Sequence, residues 1–280
     1  MKNLNQYIQE KFEINKNTKR TYKYSPKTTE ELRKILEERL AKDKDIDLND
    51  IDVSNITDME SLFQELDPHN IDISLWDVSN VTTMRNMFTN CTYFNCDLNK
   101  WDISNVKDIR HMFGGCKNFN SDLSNWDVSN IEDMWHMFYH CSSFTGKGLE
   151  NWKVSKVKDM SGIFEGCSLF TGKGLENWEV SNVETMESTF KDCTNLNCDL
   201  SNWDVSNVET MCNMFGNCKK FNCDLSKWNV SKVTDMLCMF YGCSLFTGKG
   251  LENWNVEKVK YKKNMFVGSS LEKNPPIWYF

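Results

Sequence analysis

Proline and histidine are nearly absent from this 280-residue chain, at four residues each. So few histidines leave little material for acid–base or metal chemistry, the two tasks for which that side chain is best suited. No stretch approaches the roughly twenty apolar residues that a membrane-spanning helix needs. The opening, MKNLNQYIQEKFEINKN, holds no apolar run of the length a secretory signal requires. The first cysteine is Cys91, so no lipid-anchoring cysteine stands near the start. A basic excess is missing as well. Residues 1–44 carry twelve Lys and Arg against seven Asp and Glu, a balance of +5, which leaves −12 of the total −7 for the rest of the chain. That balance excludes a nucleic-acid backbone as the partner. There is no G-x-S-x-G, no Walker loop and no dinucleotide fingerprint. The expectation is a protein that is not an enzyme and carries no cofactor.

What the chain has in quantity is Phe, Met, Cys and Trp, and these recur at fixed intervals. With tryptophan as the origin, the slots are Ile51, Trp76, Trp101, Trp126, Trp152, Trp178, Trp203, Trp228 and Trp254. The interval is 25 residues, or 26 before Trp152, Trp178 and Trp254, where TGKGLENW replaces the shorter DLSNW type. A fixed period of this length predicts a stacked array, in which each unit is half a core and is stable only against its neighbours.

A Leu or Ile precedes the tryptophan slot by three residues, and Val or Ile follows it by two. L-x-x-W-x-V reads as a short half-buried strand. Apolar residues then follow at three- and four-residue spacing, as in Ile131, Met134, Met137 and Phe138, which predicts a helix of about ten residues. Ser129 with Glu132, Ser181 with Glu184 and Ser206 with Glu209 fit a capping box at its start. Gly115, Gly166, Asn217 and Gly242 suit a left-handed residue at its end. The fold expected is an α/β repeat solenoid, a leucine-rich-repeat-like right-handed coil with one short strand and one short helix per repeat. Its parts are a polar segment over 1–24, a helical N-terminal cap over 25–45, nine repeats over 46–270 and a C-terminal cap or tail over 271–280. In the cap, Thr28 or Thr29 starts a helix whose stripe is Leu32, Ile35, Leu36 and Leu40.

Cysteine falls three residues after the phenylalanine slot in seven units, at Cys91, Cys116, Cys141, Cys167, Cys193, Cys218 and Cys243. Equal slots stack, so these predict a buried ladder of reduced thiols. Cys96, Cys198 and Cys223 occupy a turn slot where another unit has Ser121. Cys91/Cys96 and Cys212/Cys218 lack the spacing of a zinc ribbon, and Cys212 and Cys238 lie off the ladder, where a redox-sensing thiol would stand. His111, His136 and His140 would make a three-nitrogen metal site if they converged. Asn86, Ser188 and Asn213 hold the same slot as His111 and His136 elsewhere, so a polar face is the favoured reading. The three TGKG copies read as tight turns and not as phosphate loops.

The residue after the tryptophan slot is the candidate binding face. It is Asp52, Asp77, Asp102 and Asp127, then Lys153, Glu179, Asp204, Asn229 and Asn255. Neighbouring carboxylates about 4.8 Å apart repel by roughly 1 kcal/mol in a water-like medium. A second acidic column, Asp72, Asp97, Asp122, Asp199 and Asp224, precedes it. A solvated face with turn-forming residues accounts for both; the sharper reading is a receptor for a basic protein partner or weakly held calcium.

The unit DLSNWDVSNVETMCNMFGNCKKFN resembles the BspA-like leucine-rich repeat family, with Trp and Val in place of leucines in L-x-x-L-x-L. PKTTEELRKIL followed by LNDIDVSNITDM is similar to that family's entry into its array. The resemblance implies a surface or secreted protein engaged in adhesion, contacting a host or bacterial protein ligand. The alternative, in keeping with the missing leader and the thiol-rich core, is an intracellular protein-interaction scaffold.

Overall fold

The computed structural model describes residues 21–280; the expected polar segment over 1–24 lies outside them as far as residue 20. One α-helix, α1 (Thr29–Leu40), precedes the repeats. Thr28 caps it by accepting from the Glu31 amide at 3.2 Å, and Leu32, Leu36 and Leu40 are buried along one stripe. Beyond α1 the described residues contain no α-helix and no strand, only short 3-10 turns at Leu149–Asn151, Leu251–Asn253 and Ile277–Tyr279.

The expected strand and helix of each repeat are therefore replaced, and the reason lies in the local hydrogen bonds. Each repeat is a chain of tight turns closed by i→i−3 bonds, with one apolar residue facing inward per turn. In one unit the Trp126 amide donates to Leu123 O at 3.1 Å, Ile131 to Val128 at 3.0 Å, Met137 to Met134 at 3.2 Å, and Cys141 to Phe138 at 3.0 Å. A three-residue turn sets apolar residues three apart, the same spacing a helix would show. Two left-handed residues rule the helix out. His136 and His140 both have φ 55°, and the equivalent slots are left-handed in the other repeats, as at Asn86 (55°), Asn213 (55°) and Gly166 (77°). A helix cannot pass through such a residue without losing its bonds. Gly115, Gly166, Asn217 and Gly242 are left-handed as the sequence suggests, but they end turns within this chain of turns.

The proposed capping boxes do not form either. The Ser129 amide donates to Asp127 Oδ1 at 3.0 Å, while Glu132 bonds Lys158 of the next repeat at 2.8 Å.

Repeats are joined by bonds of a second kind. In the segment read as a helix, alternate amides donate to the following repeat: Met134 to Asp159 O at 2.9 Å, His136 to Ser161 O at 2.9 Å and Phe138 to Ile163 O at 3.0 Å. A file of isolated parallel bridges, including Asp133↔Asp159, Asp159↔Thr185 and Thr185↔Thr210, marks this seam. Side chains add to it. Each slot tryptophan from Trp76 onward donates its indole N–H to the Leu or Ile carbonyl of the preceding repeat, as Trp126 does to Leu98 O at 3.0 Å. Each ladder cysteine donates its thiol to the preceding repeat's phenylalanine carbonyl, as Cys116 does to Phe88 O at 2.9 Å.

Phenylalanine rings stack through the middle of the array. Phe113, Phe138 and Phe164 lie 5.8 and 5.9 Å apart, with planes within 5° and 2° of parallel. Such pairs add about 0.5–1.5 kcal/mol each to the burial of their surface. All twelve cysteines are unpaired, and the seven ladder thiols are buried.

Both ends are closed by side chains that take over the repeats' bonds. Interior amides donate forward, so the first repeat's carbonyls on this seam lack a donor from behind. Thr29 Oγ1 donates to Asp58 O at 2.6 Å, and the Arg33 guanidinium donates to Ser61 O, Leu62 O and Gln64 O at 2.7–3.1 Å. At the far end Trp278 occupies a tenth tryptophan slot. Its indole donates to Leu251 O at 2.7 Å and its ring stacks 6.2 Å from Trp254.

Candidate binding surface

Where an aspartate follows the tryptophan slot, it forms a turn. Asp77, Asp102, Asp127 and Asp204 are exposed and Asp52 is half-buried. Each accepts the amide of the serine two residues on, at 3.0–3.1 Å. Serine hydrogen bonds hold the carboxyls of Asp102, Asp127 and Asp204 below the ordinary aspartate range. Glu179 stands exposed at the same slot. The same Asx geometry recurs in the second column, where Lys147 lies 2.8 Å from Asp122 and Lys249 2.7 Å from Asp224. The Lys147 bond is the main reason that the Asp122 carboxyl falls to about 2.

Alongside the first column runs a groove. The asparagine that follows the serine of that column's turn points back along the array at Asn80, Asn105, Asn130, Asn182 and Asn207, its Nδ2 donating to the previous repeat's serine carbonyl, as Asn105 does to Ser79 at 2.8 Å, Asn130 to Ser104 at 3.0 Å and Asn207 to Ser181 at 2.7 Å. Where lysine replaces asparagine, Lys156 and Lys232 donate instead to the amide oxygens of Asn130 and Asn207 at 2.9 and 2.6 Å. Two hollows share Glu132 and Lys156. One is lined further by Ser104, Asn105, Lys107 and Asn130, the other by Lys158, Asn182, Glu184, Asn207, Glu209 and Lys232. Together they form a polar channel across six repeats, with Asp127 on its rim beside Lys156, whose charge helps hold Asp127 low. The three glutamates with the spacing of capping boxes are thus groove residues.

In each TGKG loop the amide of the second glycine is taken by a nearby side chain. The Gly148, Gly174 and Gly250 amides donate to the carboxylates of Glu150, Glu176 and Glu252 at 3.1, 2.7 and 3.1 Å. Those three amides are therefore not free for an anion, and the hollow between the first two loops sets Glu150 and Glu176 beside Lys147 and Lys173.

The histidines cluster without converging on a metal. The rings of His111 and His136 lie 5.8 Å apart, but Tyr139 packs between His136 and His140, 4.7 and 4.2 Å from each. Among the described residues no group of three His, Cys, Asp or Glu is arranged to hold a metal ion. Burial lowers the pKa of both His111 and His136. Cys212 is buried and Cys238 partly so, with the Cys212 thiol pushed up to about 11 by burial, the opposite of what a reactive thiol needs. Two of the turn-slot cysteines are acceptors: Cys96 Sγ receives the Ile73 amide at 3.5 Å and Cys223 Sγ the Leu200 amide at 3.1 Å, as Ser121 Oγ receives the Leu98 amide at 3.2 Å, which explains why either residue type serves. No described helix is long and apolar enough to cross a membrane.

Sequence reasoning missed two features of this surface. The groove depends on asparagines whose repetition was visible but whose backward reach was not. The exposed Trp135, at 40% exposure, stands in a slot that holds Arg85 and Arg110 in the two repeats before it; its signal was that substitution.

Comparison with known proteins bears on the whole array. No curated protein and no solved structure matches the chain. One family does, described as "Mycoplasma protein of unknown function, DUF285", over residues 30–148, 132–249 and 160–278.

Proposed function

The chain belongs to the DUF285 family, and from that premise we propose that it is a non-enzymatic protein-binding module. It acts as a surface or adhesion protein of the BspA-like leucine-rich-repeat kind, contacting a host or partner protein through one extended face. The observation that carries this reading is the continuous groove from Ser104 to Lys232, with the Asp77, Asp102 and Asp127 column beside it. Regularly spaced polar side chains on a backbone that is bonded repeat to repeat present many contacts at low ordering cost. The partner expected on the acidic rim is basic.

A second reading, an intracellular interaction scaffold of the same fold, draws on the ladder thiols. As protonated donors to backbone carbonyls, they are suited to a reducing compartment.

Protease added to intact cells that make the protein separates the two. Digestion with a cytosolic control left whole supports the surface reading; full protection supports the scaffold. A photo-crosslinker placed at Asn182 tests the groove itself. Capture of a defined protein there, competed by that protein unlabelled, is the expected result, and no crosslink at Asn182 in either compartment would count against the groove.

A further inference from the structure

Past the groove, on the next edge of the array, the repeats provide an internal comparison. Nine residues after the tryptophan slot, four successive units carry Arg85, Arg110, Trp135 and Ser161; two residues earlier they carry Thr83, Asp108, Asp133 and Asp159. Where arginine is present it is paired. Arg85 lies 3.8 Å from Glu60, and Arg110 lies 2.5 Å from Asp108 and 3.7 Å from Asp133. At Trp135 and Ser161 the cation is gone while the carboxylates continue. Asp159 accepts the Ser161 amide at 2.7 Å and forms no ion pair among the described residues. Glu165, the next acid along, is already bound to Lys191 at 2.7 Å. Asp133 is held above its ordinary value, by burial first; the nearby charges of Asp159 and Asp108 add to this and that of Arg110 opposes it.

The Trp135 amide donates to Asp133 Oδ1 at 2.8 Å, which sets the residue next to that carboxylate. Its ring stacks on His136 at 4.2 Å and 12°, and His136 stacks on Tyr139 at 4.7 Å and 19°. Gly162 permits this, since a Cβ there would lie 2.1 Å from His136 Cδ2. Trp135 is also the most exposed of the ten tryptophans, Trp278 being half-buried and the other eight 2–6% exposed. A flat aromatic face stacked in place near Asp133, which Arg110 reaches only at 3.7 Å, and Asp159, which has no ion pair among the described residues, fits a planar cation better than a compact ammonium.

We propose that Trp135, Asp133 and Asp159 form a docking site for an arginine side chain of a protein partner. The guanidinium lies on the Trp135 ring and donates to the two carboxylates, supplying from outside the charge that Arg85 and Arg110 supply within the array. The proposal rests on the reading of the chain as a binding module and names a contact outside its groove.

The test is a titration of the full chain with tri-arginine, followed by the indole N–H signals in a nitrogen-15 NMR spectrum, with tri-citrulline as the uncharged control. A saturable shift of the Trp135 signal with tri-arginine alone is expected. Trp135→Ala and Asp159→Asn should each weaken binding about fivefold or more, while Trp135→Phe keeps most of it. Melting temperatures of the variants verify that the stack is intact. Tri-arginine that binds Trp135→Ala unchanged would overturn the site. If that same binding were lost from the Asp77→Asn/Asp102→Asn/Asp127→Asn chain, the acidic rim would be the receptor and the binding-module reading would stand.

Discussion

The thiol of Cys141 donates to the carbonyl of Phe113, 28 residues earlier, at 3.0 Å. The same carbonyl already accepts the Cys116 amide of its own repeat at 2.9 Å, so the sulfur uses the second lone pair and ties one repeat to the next. Cys141→Ala should therefore destabilise by about 1–3 kcal/mol, the loss of a buried donor combined with a small cavity. Denaturant unfolding measures it, and a change below about 0.5 kcal/mol would reduce the ladder to passive filling.

Alkaline pH should weaken the fold through these thiols. Burial pushes Cys91 and Cys243 up to about 12, against an ordinary thiol value near 8.5–9 in the unfolded chain. The folded state thus holds its protons more tightly. The stabilisation is complete below about pH 9 and drains away as the pH rises towards 12. Comparing unfolding midpoints of the parent and Cys243→Ser at pH 7.5 and 10.5 tests this; the parent should lose more.

Removing the guanidinium at the first end should open that end before the rest. Arg33→Met keeps the apolar stem but takes the guanidinium donor from the Ser61, Leu62 and Gln64 carbonyls, of which Ser61 O keeps the Gln64 amide at 3.1 Å, at a cost of about 2 kcal/mol. Amide exchange should quicken over residues 48–66 and remain slow beyond Trp126. Uniform quickening along the chain would show that α1 does not act as a local closure.

Trp278→Ala removes both the indole bond to Leu251 and the ring over Trp254. A loss of about 2 kcal/mol is expected, less than for a fully buried aromatic because Trp278 is half-buried, seen as a lower melting temperature and a more solvent-accessible Trp254. An unchanged melting temperature would place residues 271–280 outside the cooperative unit.

Asp77→Asn/Asp102→Asn/Asp127→Asn should fold as the parent does, because an asparagine oxygen accepts the serine amide as well as a carboxylate oxygen. Its contact with a basic partner should weaken. The parent's acid sensitivity should lessen too. Serine hydrogen bonds hold Asp102 and Asp127 low when folded, so their stabilisation is present above about pH 4, the unfolded value, and lost as pH falls through the folded one. Circular dichroism from pH 6 to 2 on both chains reads the difference.

Much of this molecule was legible in the period alone: the slots, the thiol ladder, the buried Trp and Phe files, and the α1 stripe of Leu32, Leu36 and Leu40. The conformation inside each repeat was not. Ile131, Met134 and Met137 are spaced by three in a tight-turn coil as in a helix, so spacing could not separate them. The discriminating residues were Asn86, Asn213 and Gly162, small or amide-bearing side chains recurring in mid-segment, where left-handed backbone is tolerated. Trp278 went unread because it follows Trp254 by 24 residues, outside the 25–26 period, and two prolines intervene. The groove was illegible for another reason: an asparagine's direction along a stack depends on which neighbour leaves a carbonyl free.

The extra residue of the 26-residue units is taken up in the TGKG turns, and the seam of parallel bridges passes through those units undisturbed. The array therefore works as a ruler. Inserting one whole unit between Asp102 and Trp135 would move the two contacts apart by a single fixed step and leave each of them intact. A partner that grips both would read that step as a change of gauge.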